Sequence, residues 1–347
     1  MNILQKILYP FSLLYGEIVD IRNKAFENGL INSATFDIPT IVVGNLNVGG
    51  TGKSPQIEYL IRLLHHDYRI AVLSRGYKRK STGFQLADIN STAEQIGDEP
   101  LQFYRKFKDI IVAVDVNRVH GIQQIKKISP PVDLVLLDDA FQHRRVNAGF
   151  YILLTAYDNL YIDDMMLPSG ELREKKKGAE RANIIIVSKC PIELPEEDQS
   201  RIMKKLNPGL NQTVFYSSID YHNSVISQKN EISITKLQEY EVLLVTGIAN
   251  ATPLVNYLEN KKIQYRHLKY SDHHRFSIGD KERIYEEFMQ IETEKKIILT
   301  TEKDYVRTFS EEDDQVYYLP IKTKFLDSEN DFNKLIYNYV QENRRNS

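Results

Sequence analysis

Short runs of apolar residues alternate with longer stretches of helical periodicity along most of this chain. Such alternation is typical of parallel sheets whose strands are connected by helices packed on the two faces. We therefore expect an α/β fold. The strands predicted in the first part of the chain are Thr40–Val43, Ile70–Leu73, Ile110–Val114, Leu134–Leu137, Tyr151–Leu154, Ile184–Val187 and Val214–Tyr216.

A polar stretch at residues 217–236 interrupts the alternation, and we interpret it as a linker that carries a short β-ribbon. A second, shorter alternation follows and predicts a smaller α/β domain at residues 237–347. The first α/β domain is expected at residues 23–216, after an N-terminal helix at residues 1–22. The second domain is predicted to contain strands Val242–Val245, Gln264–Leu268, Ile297–Leu299 and Val316–Leu319, and helices Thr252–Asn260, Gly279–Gln290 and Asp331–Glu342.

The N-terminal segment places apolar residues at helical spacing and polar residues around the rest of the helix. Its longest stretch without a charge, from Ile7 to Gly16, is about half of the roughly 20 residues that a membrane-spanning helix needs. Two interpretations remain, an amphipathic helix on a membrane surface and a helix packed on the protein's own core, and the pattern alone favours the core. The apolar positions are Ile3, Leu4, Ile7, Leu8, Phe11, Leu14, Tyr15 and Ile18.

Length and composition limit the classes of protein to consider. The chain has 347 residues, more than one hydrophobic core usually serves, which favours two domains. Its 45 basic and 47 acidic residues leave a formal charge of −2, and this balance argues against a dedicated nucleic-acid-binding protein. Cys190 is the single cysteine, so neither an intrachain disulfide nor a cysteine-based zinc site can form, as is typical of a cytosolic protein.

A glycine-rich segment from Gly44 to Ser54 follows the first predicted strand and precedes a helical pattern, which is the context of a P-loop. Glycines allow backbone N–H groups to turn toward phosphates, and the helix N-terminus adds positive potential. Lys53 is expected to reach the β- and γ-phosphates of ATP, and the Ser54 hydroxyl to bind Mg²⁺. Asn47 occupies a position where the strict motif has glycine, and asparagine tolerates positive φ. The residues predicted to hold the phosphates are Gly49, Gly50, Thr51, Gly52, Lys53 and Ser54.

Two other nucleotide classes do not fit the sequence. A dinucleotide-binding fingerprint needs a third glycine where this chain has Pro55. Guanine-binding proteins place an aspartate after a later strand, where the segment from Ser188 to Pro191 ends in proline. The P-loop interpretation therefore predicts an ATP-dependent kinase with a P-loop NTPase-like parallel-sheet domain and a second, smaller α/β domain.

Acidic residues at the end of a neighbouring strand strengthen this interpretation. Asp138 and Asp139 follow the apolar run Leu134–Leu137 directly, where a P-loop protein needs a carboxylate for its metal ion. Three other segments leave alternatives open. Asp98 could act as a general base or cap a helix, residues 175–177 could be solvated or meet an anionic surface, and the pair His273 and His274 is more often structural.

Several segments together resemble one family, the tetraacyldisaccharide 4′-kinases, which are lipid A 4′-kinases of Gram-negative envelope synthesis. The resemblance covers nearly the whole chain, with departures at Ala140, often glycine in the family, and at Lys175, often proline. The segments that carry it are Val43–Asn45, Val48–Pro55, Leu73–Tyr77, Gly97–Pro100, Leu137–His143, Leu172–Glu174, Asp272–His274 and Thr301–Asp304.

The resemblance implies ATP as the donor and the 4′-hydroxyl of a tetraacylated glucosamine disaccharide 1-phosphate as the acceptor. It implies that Asp98 is the catalytic base and that His273, which we prefer to His274, orients it. Lys53 also counts among the catalytic residues, and Arg173 among those that bind the nucleotide. The implied Mg²⁺ shell consists of Ser54, Asp138, Asp139 and Glu174.

The resemblance also reverses the preference at the N-terminus, because it implies a helix that anchors the protein peripherally to the cytoplasmic face of the inner membrane. The implied partners are the lipid A disaccharide precursor and this membrane surface, with no nucleic acid and no protein partner. Two alternatives remain from the residues themselves: a P-loop kinase or ATPase that acts on a soluble metabolite, and an ATP-dependent switch whose second domain binds a protein.

Overall fold

The computed structural model describes residues 3–272, 274–309 and 313–344. Within this part of the chain the strands are β1 (Thr40–Asn45), β2 (Ile70–Ser74), β3 (Gln85–Leu86), β4 (Ile111–Val114), β5 (Leu134–Asp138), β6 (Phe150–Ala156), β7 (Ile184–Ser188), β8 (Thr213–Tyr221), β9 (Ser224–Ile226), β10 (Glu231–Ser233), β11 (Glu241–Thr246), β12 (Tyr265–Lys269), β13 (Lys296–Thr301), β14 (Val316–Leu319) and β15 (Ile321–Phe325).

The helices alternate with these strands, so the predicted α/β fold class is confirmed. They are α1 (Ile3–Glu27), α2 (Lys53–Leu64), α3 (Ala93–Ile96), α4 (Asp98–Lys106), α5 (Arg118–Ile125), α6 (Glu196–Leu206), α7 (Ile234–Leu237), α8 (Thr252–Asn260), α9 (Ile278–Met289), α10 (Glu302–Thr308) and α11 (Glu329–Arg344), with 3-10 turns at Tyr161–Asp163 and Lys176–Arg181.

The first compact unit contains residues 3–219 and 323–344 and is built on a nine-stranded sheet in the order β15-β8-β7-β6-β1-β5-β2-β4-β3. The strands from β8 to β4 pair in parallel, so their carboxyl ends lie at one edge of the sheet. Strand β1 lies between β5 and β6, two consecutive strands that come much later in the chain than β1. A crevice at such a position is the usual binding site of an open α/β sheet.

The second compact unit, residues 220–322, contains a six-stranded sheet in the order β10-β9-β14-β13-β11-β12. Strands β14, β13, β11 and β12 are parallel, whereas β9 and β10 form an antiparallel ribbon that continues the sheet through β14. The predicted ribbon is therefore present, but the stretch at residues 217–236 is not a separate linker. Its residues 217–221 end β8 of the first sheet, and the rest contains β9, β10 and the start of α7. The reason is that the alternating apolar residues Val225 and Ile232 are buried in the core of this unit.

The chain returns to the first unit at residues 323–344, which we had expected in the second domain. Helix α11 explains the difference, because Phe332, Ile336 and Val340 form an apolar stripe that packs in the same core cluster as residues of α2. The Tyr339 hydroxyl accepts a hydrogen bond from the Thr40 N–H (3.1 Å) and donates one to the Thr40 carbonyl (3.0 Å). The last helix is thus fastened to the first strand of the sheet.

Helix α1 turns its apolar side chains outward. Ile3, Ile7 and Phe11 are 79%, 62% and 61% exposed, whereas the buried residues of the helix are Ser12, Gly16 and Asn23. The interpretation in which the apolar stripe packs on the protein's own core is therefore wrong for the described residues. Across residues 3–272, 274–309 and 313–344, no helix has both the length and the apolar character needed to cross a membrane.

Candidate active site

The glycine-rich loop at residues 46–52 connects β1 to α2 at the carboxyl edge of the first sheet. Gly52 precedes the first helical residue with φ 85°, a left-handed conformation that costs glycine nothing and other residues strain. Lys53 and Ser54 then open the helix, whose first N–H groups have no partner within it and point toward the loop. The local sequence thus builds a cradle for an anion at the predicted position.

Asn47 has a different role from the one expected. The positive φ of the loop occurs at Gly49 and Gly52, and Asn47 instead forms an antiparallel bridge with Leu172. Its side-chain amide donates to an Asp164 carboxylate oxygen at 2.6 Å. Residues 46–48 are further held to residues 171–173 by two backbone hydrogen bonds of 2.7 and 2.8 Å. Asparagine therefore fixes the start of the loop to a neighbouring segment, which a glycine could not do.

Lys53, Arg173 and Asp139 form a charged group beside the loop. The Lys53 ammonium donates to the Asn45 side-chain oxygen (3.1 Å) and lies 3.7 Å from Asp139. Arg173 contacts both Asp139 oxygens at 2.9 and 3.3 Å. Burial acts to raise the pKa of Asp139, but the charges of Lys53 and Arg173 lower it overall. This carboxylate therefore holds two cations in place, and its predicted metal role stays a prediction.

Asp138 has the opposite electrostatic character. Its Oδ2 accepts a hydrogen bond from the Ser74 hydroxyl at 3.0 Å, while its buried Oδ1 has no hydrogen-bond partner among the described residues. Burial, followed by the negative charges of Glu99 and Asp139, raises the pKa of Asp138 to about 7. A buried acceptor without a donor is costly, and a cation at Oδ1 would remove that cost. The donor chemistry here fits Mg²⁺, which prefers oxygen ligands.

Ser54 belongs to the same neighbourhood through Glu99. The Ser54 hydroxyl donates to Glu99 at 3.0 Å, and Glu99 is close enough to Asp138 to raise its pKa. The sequence predicts no role for Glu99, although it directly follows Asp98. No group of three or more His, Cys, Asp or Glu side chains suited to a metal ion occurs within the described ranges, so phosphates and water would have to complete a Mg²⁺ shell.

Glu174 is predicted in the metal shell, yet both of its oxygens have protein partners. Oε1 accepts from Gln142 (3.0 Å) and Arg181 (2.9 Å), and Oε2 accepts from Asn23 of α1 (3.3 Å). The side chain is almost fully buried. Its contacts connect α1 to the loop after β5, and its metal role stays a prediction.

Asp98 is the first residue of α4, and the cap of that helix is Gly97, with φ 96°. A Cβ at Gly97 would lie 3.2 Å from the Gly76 Cα, so the two glycines allow the loops after β2 and before α4 to approach closely. His273 lies outside the described residues, and the predicted pair stays a prediction. His274 contacts Asp280 at 3.1 Å and packs against Tyr270, which favours a structural role.

The chain is similar in sequence and in fold to known proteins of one family. A sequence model of the family described as tetraacyldisaccharide-1-P 4′-kinase matches residues 4–341. Proteins named tetraacyldisaccharide 4′-kinase are similar along nearly their whole length: that of Flavobacterium johnsoniae is 52% identical over 344 residues, covering 99% of each chain, and that of Bacteroides thetaiotaomicron is 46% identical, covering 99% of this chain and 95% of the relative. The crystal structure of LpxK from Aquifex aeolicus in complex with ATP has a TM-score of 0.78 and 28% identity, covering 97% of this chain and 100% of the other.

Proposed function

The chain belongs to the tetraacyldisaccharide-1-P 4′-kinase family, and on that premise we propose how its own residues carry out the reaction. It is an ATP-dependent kinase of lipid A biosynthesis that phosphorylates the 4′-hydroxyl of a tetraacylated glucosamine disaccharide 1-phosphate. The observation that carries the residue assignment is the loop after β1. There Lys53 is held by Asn45 and Asp139, beside the buried Asp138 carboxylate, whose Oδ1 has no hydrogen-bond donor among the described residues.

Phosphoryl transfer passes through a loose transition state, so positioning and charge neutralisation supply most of the catalysis. Lys53 and Arg173 are the cations of this site, and their shared contact with Asp139 fixes both before the nucleotide binds. Because the two side chains are already ordered, little conformational entropy is lost when phosphate oxygens replace part of these contacts. The backbone N–H groups of Gly49, Gly50 and Gly52 and the N-terminus of α2 complete the cradle, and the Thr51 N–H donates to the Gly49 carbonyl within the loop (3.1 Å).

The metal ion of the reaction is proposed to be Mg²⁺, held by Ser54 and Asp138. The support is the unpartnered Oδ1 of Asp138 and its raised pKa, which both indicate a missing positive charge. When bound, the ion would neutralise charge on the β- and γ-phosphate oxygens. Glu99, hydrogen-bonded to Ser54, orients that hydroxyl. Asp139 and Glu174 act around this centre by holding Lys53, Arg173 and Arg181.

Asp98 is proposed as the base that accepts the proton of the sugar hydroxyl, with His273 orienting or tuning it. Asp98 is the first residue of α4 and directly precedes Glu99, whose carboxylate accepts the hydrogen bond of the Ser54 hydroxyl, so the start of this helix borders the site. A positioned general base contributes about 10²- to 10⁴-fold to such a step. The assignment of His273 rests on the family resemblance of its segment.

Helix α1 is proposed to lie on the cytoplasmic face of the inner membrane. It attaches to the protein through polar contacts, such as the Ser12 hydroxyl with Ser169 (2.8 Å) and the Tyr15 hydroxyl with the Arg173 carbonyl (3.2 Å). Its apolar side chains remain exposed, which favours a lipid acceptor over a soluble metabolite. Removing acyl chains from a bilayer costs about 0.8 kcal/mol per CH₂, so docking at the interface lowers the cost of reaching the substrate.

The test is a phosphoryl-transfer assay with labelled ATP and a tetraacylated disaccharide 1-phosphate in detergent micelles. We expect label at the 4′ position and a loss of about 10²- to 10³-fold in kcat for Lys53→Met. Lys204→Met, in an exposed lysine of α6, is the matched control and should retain full activity. Normal turnover in folded Lys53→Met protein would contradict the assignment of the loop, and turnover of ATP without acceptor phosphorylation would favour the switch.

A further inference from the structure

The end of β7 is fastened to the glycine-rich loop. The hydroxyl of Ser188, the last residue of the strand, donates to the Thr51 carbonyl at 2.7 Å and to the Thr155 carbonyl at 3.2 Å. Ser188 is buried, so these hydrogen bonds are protected from water. Whatever follows Ser188 is therefore held in a fixed position relative to the loop.

Lys189 follows Ser188 and adopts φ 58°. Its neighbours fix this conformation, because Ser188 is tied to the loop and the Cys190 N–H donates to the Ser217 carbonyl at 2.9 Å. A residue other than glycine that is kept in the left-handed region by its surroundings is more frequent at functional sites than elsewhere. From the sequence alone, this segment serves only to exclude a guanine-binding motif.

The Lys189 side chain extends over the middle of the loop. Its Nζ lies 3.9 Å from the point that a Cβ on Gly50 would occupy. The residue as a whole is exposed, yet burial of its ammonium group lowers the pKa of Lys189. The positive charge of Lys53 lowers this pKa further, and the negative charge of Asp158 acts in the opposite direction. Two like charges therefore lie near one loop, an arrangement that an anionic ligand stabilises.

We propose that Lys189 is a second lysine that contacts the phosphate chain of ATP, acting together with Lys53. The inference rests on the proposed nucleotide site and adds a binding residue that lies more than 130 positions from the loop in sequence. Gly50 marks the place of contact on the loop, since a Cβ there would lie in ordinary van der Waals range of the Lys189 ammonium group. Lys53 is expected to act on the migrating phosphoryl group, and Lys189 to act on affinity for the nucleotide.

The experiment measures binding of ATP, AMP and adenosine by calorimetry to the full chain without acceptor, in the wild type, Lys189→Met and Lys189→Arg. Methionine keeps the length and apolar stem of lysine and removes the charge. We expect Lys189→Met to weaken ATP about tenfold, the size of one charge-assisted hydrogen bond, and Lys189→Arg to recover most of the affinity. KM for ATP should rise in parallel, while KM for the lipid acceptor and kcat should change less than about threefold.

Lys262→Met is the matched control, because Lys262 is also exposed and has φ 57° but belongs to the second unit. It should bind ATP like the wild type. Unchanged ATP affinity in folded Lys189→Met protein would overturn the inference, and so would an equal loss for adenosine, which would place the contact at the base. If Lys53→Met also left ATP binding and turnover unchanged, the proposed function would fail as well, so the two failures are distinguishable.

Discussion

Each of the two units has a buried aspartate at or near the carboxyl end of a parallel strand. The two carboxylates differ in how many hydrogen-bond and ion-pair partners surround them. In the second unit, Asp304 accepts hydrogen bonds from the Gly247 N–H (2.9 Å) and the Thr301 hydroxyl (2.8 Å) and lies 3.5 Å from Arg307. In the first unit, Asp138 has the Ser74 hydroxyl as a donor on one oxygen and no hydrogen-bond partner for the other within the described residues.

The difference separates structural from functional use of the same side chain. Asp304 is satisfied by its surroundings and connects α10 to the loop after β11, so its charge is neutralised within the fold. Asp138 lies with Glu99 and Asp139 among negative charges, and the folded protein leaves it short of positive charge. Native proteins keep such an unsatisfied group where a ligand completes it.

The strongest test of the comparison replaces each aspartate by asparagine. We expect Asp138→Asn to lower kcat by about 10³-fold without loss of stability. Asp304→Asn should lose about 3 kcal/mol of unfolding free energy, because it removes the buried carboxylate charge that faces Arg307. Activity per folded molecule of Asp304→Asn should stay near the wild-type value. Thermal unfolding and single-turnover kinetics on both proteins measure the two effects.

The direction of the Asp138 effect follows from its pKa. In the folded protein the pKa of Asp138 is about 7, against an ordinary value of 3.8, so the native state retains a proton that the unfolded state releases. Protonated Asp138 therefore makes its full contribution to the free energy of unfolding below about pH 4. This contribution decreases as the pH rises from 4 and is lost above about pH 7. Asp138→Asn should come closest to the wild type in stability at pH 4 and become increasingly more stable than the wild type as the pH rises to 8, both measured without nucleotide. Lower stability at pH 8 would contradict the comparison.

Variants of Asp98 and His273, with a smaller expected loss in kcat, test whether the second unit has a purely structural role. Asp98→Asn is expected to reduce kcat by about 10²-fold, and His273→Ala to reduce it less. If the two residues serve one proton transfer, the double variant should be little slower than Asp98→Asn alone, and the second unit then takes part in the chemistry. Multiplicative losses would mean that His273 acts independently of Asp98. Affinity for ATP should be unchanged in all three proteins.

The smallest expected change, in KM for the lipid acceptor, comes from replacing exposed apolar residues, which both units have. Replacing Ile7, Phe11 and Leu14 of α1 by serine should raise KM for the lipid acceptor about tenfold and reduce sedimentation with anionic vesicles, with KM for ATP unchanged. These changes keep the polar contacts of Ser12 and Tyr15, which deletion of residues 1–22 would remove. Ile278→Ser with Met289→Ser, at 79% and 70% exposed positions of the second unit, is the matched control. Equal effects of the two sets would argue against a specific membrane face on α1.

Local patterns predicted those parts of the molecule that depend on local chemistry. The apolar runs gave most strands within a residue or two, and the motif from Gly44 to Ser54 gave the loop that holds Lys53. The pattern alone was wrong about α1, because helical spacing defines an apolar face without saying what covers it. Asn47 was interpreted through its own backbone, whereas its role depends on Asp164, far along the chain.

Contacts between distant segments could not be predicted from the sequence. Glu99 is noticed only because it accepts a hydrogen bond from Ser54, and Lys189 only because its Nζ lies close to Gly50. Neither pair has a spacing that a pattern search would detect, since each arises from which strands become neighbours in the sheet. The return of residues 323–344 to the first unit has the same origin. An amphipathic helix such as α11 fits either core by pattern, and the fold decides between them.

That return has a consequence for how the protein is made. The hydrogen bonds between Thr40 and Tyr339 join residues 299 positions apart, and the stripe of α11 covers part of the core beneath α2. At roughly 5–20 residues per second, a ribosome that has completed β1 needs roughly 15–60 s more before Tyr339 is synthesised. During that time the apolar surface that α11 will cover stays uncovered on the nascent chain. The second unit, by contrast, is continuous in sequence and is synthesised completely before the first is complete, so this delay falls on the first unit.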